Sequence, residues 1–68
     1  MTSNRILIST YWSDDQKKRA EVFHNLQAGY EIDFFEDDKY ILSESYEDKN
    51  LYYHEDAAEN YVMGVKDI

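Results

Sequence analysis

Between Tyr30 and Tyr46 the chain reads as a β-hairpin, and this segment limits the fold more than any other. Tyr30, Ile32 and Phe34 alternate with Glu31, Asp33 and Phe35, the period of two that a half-buried strand requires. Asp37-Asp38 forms the turn, a weaker signal than Asn-Gly or Asp-Gly because both residues resist positive φ. Lys39 to Tyr46 returns as the partner strand. With a two-residue turn, Phe34 faces Ile41 and Phe35 faces Tyr40. A one-residue slip sets Phe34 against Leu42 and Ile32 against Glu44; the first register is preferred because it buries no carboxylate. It places Phe35, Tyr40 and Leu42 opposite Tyr30, Ile32 and Phe34, so both faces carry apolar groups and one is expected to meet a partner.

The flanking segments supply the rest of a small α+β domain. Arg5 to Tyr11 favours extended geometry through Ile6, Ile8, Thr10 and Tyr11. Ser13-Asp14-Asp15-Gln16 matches a capping box, which predicts a helix over about 14–28 with Ala20, Phe23 and Leu26 or Gln27 inward and Gly29 as its stop. Asn50 is a good N-cap for a second helix from Leu51, with Leu51, Ala58, Tyr61 or Val62, and Val65 facing in and Ala57 beside them. The predicted order is β-α-β-β-α, an antiparallel hairpin packed against two helices in one domain spanning residues 1–68.

With 68 residues, such a domain buries only about 60% of its unfolded surface, so its stability is marginal. Small domains commonly add disulfides, a metal or a partner subunit. The chain has no cysteine, which rules out disulfides and thiolate metal sites and fits a reducing, cytoplasmic setting. No run approaches a membrane span, and Ile6-Leu7-Ile8 is too short for a signal-peptide core. The remaining routes are very efficient packing or self-association, the latter as a homodimer through the hairpin face of Phe35, Tyr40 and Leu42.

Charge is unevenly divided. The net charge is −8; residues 1–28 sum to +1 and residues 29–68 to −9. The acidic part repels nucleic-acid phosphates and anionic membranes, and its complement is a protein with a basic patch. The same charge also serves solubility. Lys17-Lys18-Arg19 is the one basic cluster; on a helix it fans across about 200°, mostly a solvated face.

No catalytic or cofactor pattern is present. His54-Glu55 lacks the second histidine of a zinc-protease helix, since position 58 is Ala. Glu36, Asp37 and Asp38 are contiguous acids without the spacing or the Gly of a calcium loop. His24 and His54 have no triad companions at a readable spacing, and two glycines cannot build a phosphate loop. The expected class is a binding module, not an enzyme, with no cofactor or metal.

Seven tyrosines, three phenylalanines and one tryptophan exceed what a small core can bury. Tyr and Trp dominate binding hot spots, although tyrosine also simply favours strands and half-buried edges. The candidate partner-binding residues are Phe35, Asp37, Asp38, Tyr40, Leu42, Tyr46, Tyr52 and Tyr53. Three uses compete: a protein-binding accessory module, a DNA mimic whose carboxylates stand in for phosphates, and an assembly subunit stable only as an oligomer.

Tyr30-Glu31-Ile32-Asp33-Phe34-Phe35-Glu36-Asp37-Asp38-Lys39, followed by Tyr52-Tyr53-His54-Glu55-Asp56-Ala57-Ala58-Glu59-Asn60-Tyr61-Val62, resembles small proteins encoded by tailed phages of marine cyanobacteria. Their pattern is a strand, a turn, a strand, then a helix written roughly Y-A-E-D-A-A-E-N-W-V. Here His54 stands for Ala and Tyr61 for Trp, and the resemblance covers about half the chain. It implies a setting, in which small viral accessory proteins bind and redirect host proteins in the host cytoplasm.

Overall fold

The computed structural model describes residues 4–27 and 29–66. Strands β1 (Arg5–Trp12), β2 (Lys18–Asn25), β3 (Gly29–Glu36) and β4 (Lys39–Glu44) form one antiparallel sheet in chain order, and helix α1 (Leu51–Val62) follows. The mixed α+β class is as expected, but the β-α-β-β-α order is not. Among the described residues α1 is the only helix, and the segment predicted as the first helix is mostly β2. No described helix is long and apolar enough to cross a membrane.

The segment after Ser13 has two readings, and tertiary packing selects the second. Ala20 and Val22 are buried at a spacing of two, alternating with Arg19, Glu21 and Phe23. A helix would bury Phe23 and Leu26; instead Leu26 is exposed in the β2–β3 turn, and β-branched Val22 reaches the core. As a strand, β2 pairs along its whole length with both β1 and β3 and satisfies its own backbone. The capping-box residues serve a loop instead. Ser13 N–H donates to the Lys18 carbonyl at 2.9 Å, Lys18 N–H returns to Ser13 Oγ at 3.0 Å, and that hydroxyl donates to Asp15 at 2.7 Å. Gly29, expected as a helix stop, opens β3 at φ 93, so the left-handed conformation is present at a hairpin.

The β3–β4 hairpin combines both registers considered for it. Asp37 and Asp38 take φ 54 and 66, the paired positive values of a two-residue hairpin turn, and Phe35 faces Tyr40. One residue further on the ladder shifts: Phe34 faces Leu42 and Ile32 faces Glu44. Ile41 is the extra residue of the bulge. Contrary to the expectation that Leu42 shares a face with Phe35 and Tyr40, it packs against the core. The carboxylate objection to this register is met locally, since Glu44 pairs with Lys66 Nζ at 3.2 Å and accepts from the Tyr46 hydroxyl.

The core lies between one sheet face and α1. Ala20, Val22, Ile32 and Phe34 meet Ala58, Tyr61 and Val62, with Tyr11, Leu42, Tyr46, Leu51 and Ala57 at the margin. Phe34 and Tyr61 pack edge to face at 4.9 Å, and the Tyr61 hydroxyl donates to the Phe35 carbonyl at 2.9 Å. Asn50 caps α1 as predicted, its side chain accepting from Tyr53 N–H at 3.1 Å. Val65, expected to face inward, lies beyond the helix and is exposed, while His54 is fully buried.

Candidate functional site

The sheet has a second face with no layer over it among the described residues. Because Ala20, Val22, Ile32 and Phe34 point to α1, Arg19, Glu21, Phe23, Glu31, Asp33 and Phe35 point away. Two arginines lie flat on this open face. The Arg19 guanidinium sits 4.0 Å from the Phe35 ring centre and 5.3 Å from that of Trp12, and pairs with Asp38 at 3.3 Å. Its Nε faces Glu21 at 3.3 Å, within ion-pair range but without hydrogen-bond alignment. Tyr40 closes the row, edge-on to Phe35 at 5.9 Å. At the other end Arg5 lies 3.9 Å over Phe23 and binds Asp33 at 3.1 Å and Glu31 at 3.3 Å. Burial lowers the pKa of Arg5, but the charges and hydrogen bonds of Asp33 and Glu31 outweigh it, and the net shift is upward. Asp33, buried on its own side of the sheet, also accepts from Ser43 at 2.6 Å.

The helix side is different in character. Tyr46 and Tyr53 meet edge to face at 5.1 Å beside an open cleft of about 410 Å³, whose walls include Asp56, Asn60 and Lys66. Behind them His54 is held at both ring nitrogens. Nε2 accepts from Tyr46 N–H at 3.1 Å, so the proton is on Nδ1, which faces the Asn50 carbonyl at 2.8 Å. Tyr30 packs on His54 at 5.6 Å and stacks with His24 at 4.9 Å. Burial, then the hydrogen bond and charge of Glu44, push the Tyr46 hydroxyl well above the ordinary phenol range. Lys49 Nζ sits 5.2 Å over the Tyr53 ring. Outward along α1 stand Tyr52, Asp56, Glu59 and Met63, and Glu47 and Asp48 precede the helix. Among the described residues no cation lies within ion-pair range of Glu47, Asp48, Asp56 or Glu59.

The sequence-predicted binding residues thus divide among separate places. Phe35, Tyr40 and Asp38 come together on the open sheet face, and Asp37 joins them at the turn, where its N–H donates to the Lys17 carbonyl at 2.7 Å. Tyr46 and Tyr53 share the cleft beside α1, with Tyr52 standing apart on the outward helix face at 73% exposure. Leu42 belongs to neither surface. Trp12, Arg19 and Arg5 were missed; reading residues 18–25 with a period of two would have placed Arg19 beside Phe35. A second open cleft, about 480 Å³, lies between the β1–β2 loop and the end of α1, with Trp12, Asp14, Asp15, Lys18 and Met63 on its walls. The described residues contain no group of three or more His, Cys, Asp or Glu arranged to hold a metal ion. No family model, curated protein or solved structure matches the chain.

Proposed function

We propose that the protein is a small binding module that docks a basic segment of another protein on its acid–tyrosine side, the surface formed by the β4–α1 linker and the outward face of α1. One observation carries this reading: Asp56 lines the Tyr46–Tyr53 cleft, Glu47 and Asp48 stand exposed on the linker and Glu59 on α1, and none of the four has a cation within ion-pair range among the described residues. Those charges draw a basic partner from a distance, and the tyrosines supply contact area at little entropy cost. Lys49 resting on Tyr53 illustrates the contact a partner's lysine or arginine makes there. The work is recognition, not catalysis, and the resemblance to phage proteins favours a viral accessory setting in which the partner is a host protein.

The test is affinity capture from host lysate, followed by binding kinetics on the retained protein. Asp56→Asn with Glu59→Gln is expected to slow association, and Tyr53→Ala to speed dissociation, because remote charge governs encounter and close contact governs release. Duplex DNA competing for the partner identifies a DNA mimic instead. Retention indifferent to all three substitutions overturns the assignment of this surface.

A further inference from the structure

We propose that the open sheet face is a contact between two copies of this chain, giving a weak symmetric dimer whose acidic helix sides point outward. The reading goes beyond the proposed recognition of a basic partner and uses a different surface.

Charge is the first argument. On the open face Arg5 and Arg19 stand against Glu21, Glu31, Asp33 and Asp38, a sum of −2 out of the chain's −8. Two copies repel each other least when these faces meet, because the remaining excess of −6 on each is then turned away. Nor are these six charges unpaired obstacles. Arg5 is stacked on Phe23 and hydrogen-bonded to Glu31 and Asp33, Arg19 is stacked on Phe35, hydrogen-bonded to Asp38 and within ion-pair range of Glu21, and Asp33 is nearly enclosed. Groups that stand up from this floor are mainly apolar and lie on the outer strands: Leu7 and Trp12 on β1, 51% and 50% exposed, and Tyr40 on β4, 58% exposed. Arginine and aromatic residues are also the types enriched at interface centres.

Area is the second argument and sets the strength. Four strands about 4.8 Å apart and about eight residues long make a face of roughly 500 Å². Two such faces bury about 1,000 Å², the lower limit for a specific interface. The dimer is therefore concentration-dependent, with a dissociation constant in the micromolar range or weaker. Sheets that pack face to face lie about 10 Å apart, close enough for Trp12 to be covered by the other copy.

Trp12 is the only tryptophan, so its emission reports on this face without any substitution. Sedimentation equilibrium and fluorescence are measured together from about 1 µM to 1 mM. The expected result is a mass rising from 8.2 kDa toward twice that value, with Trp12 emission moving to shorter wavelength in parallel. Tyr40→Glu, at an exposed rim position, is expected to weaken association at least tenfold while circular dichroism stays unchanged. Tyr52→Glu on the outward side of α1 leaves it as it was. A monomer at every concentration overturns the proposal, as does a dimer that forms without changing Trp12 emission. Association weakened by Tyr52→Glu and not by Tyr40→Glu also overturns it, by placing the contact on the helix side.

Discussion

Tyr46 joins three parts of the molecule: its N–H bonds to His54, its hydroxyl to Glu44 and its ring packs on Tyr53. It is one of three phenols held above their ordinary value of 10.0. Burial comes first in each case, followed by Glu44 for Tyr46, by Glu55 and Glu59 for Tyr11, and by Glu36 for Tyr61. The unfolded chain releases these protons near pH 10, whereas the fold retains them to higher pH. Their contribution is therefore fully present below pH 10 and lost as pH rises through the folded values. Thermal melts between pH 8 and 11.5 are expected to stay level to about pH 10 and then fall. Tyr46→Phe, which removes one of the three, should cost about 1–2 kcal/mol at neutral pH and make the alkaline fall shallower. An unchanged alkaline slope would show that this hydroxyl is not held as described.

Both outer strands of the sheet carry a one-residue irregularity, and in each the extra residue is an isoleucine. Ile8 falls between the pairs Leu7–Phe23 and Ser9–Val22, and Ile41 between Phe35–Tyr40 and Phe34–Leu42. Bulges at a sheet edge twist the unpaired N–H and C=O groups away from a neighbouring chain. Deleting Ile41 leaves all these partners in register and straightens β4. The deletion variant is expected to fold but to aggregate at concentrations the native protein tolerates, as light scattering would reveal; equal solubility would remove a protective role for the bulge. Elements whose signals lay within a few residues were legible beforehand: β1, the Asp37-Asp38 turn and the Asn50 cap. The register beyond Phe35 was not, because it depends on Lys66 and Tyr46 neutralising Glu44 from outside the hairpin. Nor was β2. Ser13, Asp15 and Gln16 suit a helix start and a β-turn equally, and only the two strands flanking Lys18–Asn25 decide between them. The split of the aromatic site follows from that error, since Trp12 and Arg19 meet Phe35 only across β2.

Across the whole molecule the two proposed contacts respond oppositely to salt. A basic partner is drawn to the helix side by charge that is screened within about 10 Å at 0.1 M salt. Two copies of a −8 chain repel each other, and screening relieves that repulsion. Raising sodium chloride from 20 to 500 mM is expected to slow partner association at least tenfold and to strengthen self-association modestly, as kinetics and sedimentation on one preparation would register. Loss of both together would mean that one surface serves both purposes. The sheet order has a separate consequence. Every strand pairs only with its neighbour in the chain, so each hairpin closes a short loop and the sheet assembles in the order it is synthesised. The helix that covers its apolar side ends 18 residues after β4. The sheet can therefore pair its strands before that cover is in place. Until α1 docks, Val22, Ile32 and Phe34 form an apolar surface that the folded protein encloses.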